Sequence, residues 1–216
     1  MRRVLDNPRP EWRGRMHKWM VPVAVVVCVG LIAVADSVLA VVVGAIFGVG
    51  LIGLYAVSAA AHYKVWDIAR LHFLFRLDQS MIMAFIAAST IPVGYQIGGR
   101  SGLWLVAGMT IGATIGIVLI WAPFHPPRGF TNTLFLLVSW WPVLFIRSIA
   151  DGLGSTGLTL LLAGGAVYTV GAFVVGSQRP NPNPQVFGYH EVWHVFVIVA
   201  NAIHAVLVAL IVSGRL

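Results

Sequence analysis

Three histidines and an aspartate stand at the ends of apolar stretches, where a chain of this composition has little reason to keep an ionisable group. His62 ends one stretch, Asp78 opens the next, and His190 and His194 open the last within the run His-Glu-Val-Trp-His. An ionisable side chain in a membrane-spanning segment is costly, so each of the four marks a candidate functional site. Histidines four positions apart share one helix face and can grip a single ion. Together with His62 they give three imidazoles and an open position, the ligand set of catalytic zinc. Water on such an ion has a pKa of about 7. Asp78 then acts as a carboxylate that orients this water, or as a direct ligand. Ser58 lies one turn from His62 on the same face and can hydrogen-bond into the site. Imidazole ligates only when neutral, so zinc affinity is expected to fall on acidification below about pH 6.

The letters of His190-Glu191-Val192-Trp193-His194 also match the H-E-x-x-H pattern of zinc proteases, in which Glu191 would be the general base. The context does not match. His204 lies ten residues past His194, about 15 Å along a helix axis and too far to ligate the same ion. Glu191 projects about 100° away from His190 and is expected to face the headgroups. His204 is read as a histidine hydrogen-bonded within the bundle. His17, His72 and His125 are read as solvent or interface groups.

The elements that must position these residues follow from composition. Of 216 residues, 59% are hydrophobic and 10% charged, with a mean hydropathy of +0.89; an ordinary soluble domain is about 25% charged. The apolar runs are long and continuous, which predicts spanning helices rather than the short alternating strands of a barrel. The expected fold is an all-α membrane protein, a seven-transmembrane helix bundle over residues 20–36, 38–61, 78–97, 102–121, 131–149, 157–176 and 190–212. Residues 1–19 form a basic arm and 20–216 a single transmembrane domain. The arm is expected to be retained rather than cleaved as a signal peptide, because about 18 polar residues precede an apolar run of spanning length.

Placing the N-terminus in the cytoplasm and the C-terminus outside puts eleven Lys and Arg residues on the cytoplasmic side. Arg2, Arg3, Arg9, Arg13, Arg15, Lys18, Lys64, Arg70, Arg76, Arg128 and Arg179 fall there, against Arg100, Arg147 and Arg215 outside. That asymmetry is the positive-inside rule, so the net charge of +7 is topological and no nucleic-acid partner is expected. Membrane lipids are the expected partners, and the plasma membrane the expected location. In this threading His62, Asp78, His190 and His194 reach the same depth, with Asp78 in the first turn of the third helix. Residues 63–77 mix basic and large apolar side chains and read as a short interfacial segment. Cys28 is the one cysteine, which excludes an intramolecular disulfide.

Several runs together resemble the bacterial hemolysin III family, related to the adiponectin and progestin receptors and more distantly to the alkaline ceramidases. They are Ser58-x-x-x-His62, then Leu77-Asp78-x-Ser80-Met81-Ile82 with Thr90-x-Pro92, then Val186-Phe187-Gly188-Tyr189-His190-Glu191-x-x-His194. The opening Arg13-Gly14-x-x-His17 and Pro22 fit the same pattern. The resemblance implies a seven-helix bundle with zinc held near the cytoplasmic side by His62, His190 and His194. It further implies that Asp78 contacts the water on zinc and that Ser58 supports the site. Gln79 departs from the family, which often has a second histidine after the aspartate, and this removes a possible extra ligand.

Two functions are compatible with this reading. The first is a zinc-dependent membrane hydrolase cleaving a lipid amide or ester, with Asp78 and Ser58 as catalytic groups. The second is a pore-forming, haemolytic or receptor-like protein with a structural zinc. A conduction path needs polar or charged rings, and helices 1, 4, 5 and 6 supply almost none.

Overall fold

The computed structural model describes residues 9–123 and 129–216. Arg2, Arg3 and Arg128, which entered the charge reading, and His125, read as a solvent or interface group, lie outside the described residues. Among the described residues the regular structure is helical, with one isolated bridge between Asn183 and Phe187. The helices are α1 (Arg15–Val34), α2 (Val38–Tyr63), α3 (Ile68–Ile97), α4 (Gly99–Trp121), α5 (Phe130–Ser139), α6 (Ile146–Ser177) and α7 (Tyr189–Val212), with a 3-10 turn at Trp141–Phe145 before α6.

Long apolar runs become helices because hydrocarbon offers no partner to a free N–H or C=O, so each must be satisfied within its own segment. The ends are set by polar caps. Ser37 Oγ accepts from Ala40 N–H at 3.1 Å and starts α2, and Asp67 Oδ1 accepts from Arg70 N–H at 2.9 Å and starts α3. The second cap corrects an expectation. With Asp67 as cap, α3 begins at Ile68, so the proposed interfacial segment is largely its first turns. Asp78 therefore sits in the helix interior, not in a first turn where the helix dipole would explain it. α1 likewise begins at Arg15, taking in His17 and Lys18 from the expected arm.

Six helical stretches among the described residues are long and apolar enough to cross a membrane, where the sequence reading expected seven. The difference lies in Phe130–Ser177, a run of 48 residues with no loop between the expected spans 131–149 and 157–176. A straight helix of that length would reach about 72 Å against an apolar bilayer core of about 30 Å. The run is not straight. Gly154 breaks it at φ 61° and ψ −174°, a conformation open to glycine. Beyond the break the chain returns: a Cβ built on Gly176 would lie 3.6 Å from Asn132 Nδ2, although 44 straight helical residues would separate the two by about 66 Å. One glycine does the work expected of a loop.

Helices meet through small residues, as in other membrane bundles. Gly44 abuts Leu31 and Gly48 abuts Cys28 where α1 meets α2, while Gly171 receives Trp193 and Phe196 where α6 meets α7. Phe47, Leu51, Tyr55, Phe85 and Val197 centre one buried cluster joining α1, α2, α3 and α7. Leu105, Met109, Ile149, Leu153 and Leu207 centre a second, joining α4, α6 and α7. A polar bridge crosses this interior: Tyr168 donates to Asn201 Oδ1, and Asn201 Nδ2 donates to Tyr55 Oη at 2.9 Å. At one end of the bundle Asp36 N–H donates to Val212 O at 2.9 Å, setting the α1–α2 turn beside the end of α7. The start of α1, the end of α2 and the start of α7 accordingly share the opposite end.

Candidate metal centre

That shared end carries the site. His62 lies in the last turn of α2, and His190 and His194 lie in the first two turns of α7. The run Pro180, Pro182 and Pro184 cannot continue a helix, and the chain turns tightly between Asn183 and Phe187 before it reaches Gly188. Glu191 Oε2 then accepts from Gly188 N–H at 2.9 Å, satisfying one of the free donors that open α7. α7 thus starts where it must for both of its histidines to reach α2.

The three imidazoles converge. One ring nitrogen from each of His62, His190 and His194 lies within 4.8 Å of the others. The ring centroids are 4.6 Å apart for His62 and His190, 4.5 Å for His190 and His194, and 5.4 Å for His62 and His194. Nitrogens on one zinc-sized ion, each about 2.0–2.1 Å from it, are at most about 4.2 Å apart, so small ring rotations would close the group around an ion. Among the described residues His190 Nε2 and His194 Nδ1 are buried without a hydrogen-bond partner. A buried polar atom left unpaired is costly, and a cation is the partner that would satisfy both. The donor set fits a metal ion.

Asp78 joins the group from α3. Its Oδ2 lies 3.1 Å from His62 Nε2, and its side chain is 14% exposed against 5% for His62. Phe75, one turn earlier on α3, packs its ring against His62 at 5.3 Å. The early start of α3 therefore covers the site as well as delivering its carboxylate. Ser58 is buried one turn from His62, as its spacing requires, and among the described residues makes no hydrogen bond to the histidines or to Asp78. His204 stays apart, with Nε2 3.3 Å from the carbonyl of Leu161, the interior hydrogen bond expected of it.

Two readings are corrected here. Glu191 does not face headgroups: it is completely buried and paired with Arg13, whose Nε donates to Oε1 at 2.6 Å. His17 is not a solvent group. It is 3% exposed, and its ring stacks on His194 with centroids 3.8 Å apart and planes 7° from parallel. Sequence reasoning noted the Arg13-Gly14-x-x-His17 run without assigning it. The available signal was charge: Arg13 and Glu191 flank the site in a chain with few carboxylates.

Comparison with known proteins agrees with the motifs. The family described as "Haemolysin-III related" matches residues 6–205. The human monocyte to macrophage differentiation factor is 29% identical over 168 residues, covering 74% of this chain and 66% of its own. The chain thus spans just under two thirds of that relative. A hemolysin-3 homolog of Bacillus subtilis is 26% identical, covering 73% and 71%. The rice heptahelical transmembrane protein ADIPOR2 is 29% identical over 187 residues, covering 79% and 82%. With six apolar helical stretches, this is a multi-pass membrane protein.

Proposed function

The chain belongs to the haemolysin-III-related family, and from that premise we propose that it is a zinc-dependent membrane hydrolase acting on a lipid amide or ester. The observation that carries the reading is three imidazoles, those of His62 and His194 buried and that of His190 half-buried, converging beside a carboxylate at one end of an apolar bundle, with buried nitrogens of His190 and His194 unpartnered. His62, His190 and His194 would hold the metal. Zinc bound there supplies Lewis acidity toward a carbonyl and makes water a better nucleophile near neutral pH.

The remaining chemistry belongs to the chain. Asp78 orients water toward the substrate carbonyl and takes its proton as the new C–O bond forms. It returns that proton to the amine or alkoxide as the old C–N or C–O bond breaks. Ser58 offers a hydroxyl to the polar part of the substrate, and apolar side chains among the helices take the acyl chain. We further propose seven crossings, with Phe130–Ser177 passing twice about Gly154, and an N-terminus in the cytoplasm. The fold-back that brings Gly176 to Asn132 supports the count, as does the word heptahelical in the name of the rice relative. The distribution of Lys and Arg supports the orientation.

The name of the Bacillus relative, a hemolysin-3 homolog, favours a second reading, membrane lysis with a structural metal. The bundle interior argues against a monomeric pore, because its buried clusters are built from Phe47, Leu51, Leu105, Met109 and Ile149 rather than polar rings.

Metal analysis and lipid profiling decide between these. Purified protein should contain about one zinc per chain, lost in His190→Ala/His194→Ala. Asp78→Ala should keep the metal and lower lipid turnover by about 100-fold or more, the usual contribution of a proton-transfer group. Zinc-free wild-type protein ends the metal reading. Unchanged lipid products in zinc-loaded Asp78→Ala give the site to the structural reading.

A further inference from the structure

The segment before and into α1 grips both helices that supply the imidazoles. On the α2 side Arg9 donates to the carbonyl of His62, and Gly14, at φ 74°, lies so close to the backbone of His62 and Tyr63 that a Cβ would overlap it. On the α7 side Glu11 N–H and Trp12 N–H donate to the carbonyls of Gln185 and Val186 at 3.0 and 3.2 Å. Arg13 pairs with Glu191, the neighbour of His190, at 2.6 Å. His17 then lies between the helices, stacked on His194 and 5.0 Å from the ring of Tyr55 on α2.

We propose that residues 9–17 form a clasp that sets the spacing between α2 and α7 and the plane of the His194 ring, with Arg13 and His17 as its positioning residues. This rests on reading the histidine triad as a metal site. Membrane helices gain no hydrophobic drive from each other over lipid, so their spacing must be set by specific contacts. The clasp supplies such contacts where the ligands from different helices meet. Loss of the groups that orient metal ligands typically weakens metal binding about 10- to 100-fold.

His17 acts through His194 and is not itself a ligand. A ring nitrogen directs its lone pair in the plane of the ring. His17 and His194 lie in nearly parallel planes with centroids 3.8 Å apart, so an ion in the plane of one is far out of the plane of the other. His17 also stands outside the group of nitrogens that converge. The contact that His17 makes with the site is through its aromatic face, stacked on His194.

The test uses the full chain in detergent, with zinc affinity read by competition against a chromophoric chelator. Cobalt(II) absorption reports the ligand set. His17→Ala should weaken zinc binding about 10- to 100-fold, while His17→Phe, which keeps the stacking face, restores it. Arg13→Met/Glu191→Gln, which leaves no unpaired buried charge, should weaken binding to a similar degree. All three should show the wild-type cobalt spectrum at saturation, because no ligand has changed. Spin labels at Lys64→Cys and Val195→Cys, with Cys28→Ser, read the α2–α7 distance without any metal, and Arg13→Met/Glu191→Gln should broaden it. Wild-type affinity and distance in these variants overturn the clasp. An altered cobalt spectrum in His17→Phe makes His17 a ligand and overturns its positioning role. A wild type that binds neither zinc nor cobalt, yet whose helix spacing still depends on Arg13, removes the metal reading and leaves the spacing role standing.

Discussion

His190 and His194 can share an ion only while both rings are neutral, and the same holds for His62. An ordinary imidazole titrates at about 6.5, and protons compete with a metal for the same lone pair. Metal affinity should therefore fall on acidification, because protons displace the ion from the imidazoles. A titration by chelator competition from neutral into acidic pH checks this; affinity that never falls while the protein stays folded is incompatible with histidine ligation. Asp78 is the residue whose meaning changed most. Its letter and position fitted a helix start, and Asp67, about three turns earlier, holds that place instead. An aspartate inside a membrane helix, 3.1 Å from His62, has only the site to explain it. His17 was the opposite case: one histidine between Met16 and Lys18 gives no hint of the ring it stacks on, because that ring is 177 positions away.

At the scale of elements, the apolar runs announced nearly every helix, since hydrophobic length is itself the physical cause of a spanning segment. The boundaries were less legible. They depend on single caps such as Ser37 and Asp67 and on single glycines, whose effect is local and appears only when the backbone is traced. Gly154 shows this best. Its φ of 61° with ψ of −174° is strained for any residue with a Cβ, and such strain costs about 1–3 kcal/mol. Gly154→Ala should lower the thermal midpoint in detergent, whereas Gly165→Ala, in helical backbone with open space around it, should not. Equal midpoints for the two would mean that the turn does not need its glycine. The polar bridge Tyr55–Asn201–Tyr168 is a second feature that only assembled helices reveal, because its members come from three of them.

For the whole molecule, the threading makes a prediction of its own. If Phe130–Ser177 crosses twice, the termini lie on opposite faces of the membrane. Cysteine accessibility in a Cys28→Ser background should then find a label at Arg3 reactive from the cytoplasm and one at Arg215 reactive from outside. Termini on one face would reduce the crossings to six and require the 48-residue run to be packed some other way. The sequence by itself determined the helical membrane class and the placing of His190 and His194 on one helix face, because hydrophobic length and i, i+4 spacing act within a segment and can be read there; the family came from the resemblance of its motifs. Only the tertiary structure decided that His17 and Glu191 are buried, that Arg13 bridges to the start of α7, and that one glycine turns the chain back. Those facts depend on which helix ends meet. That is fixed by packing between residues far apart in the chain, for which a single sequence carries no local signal.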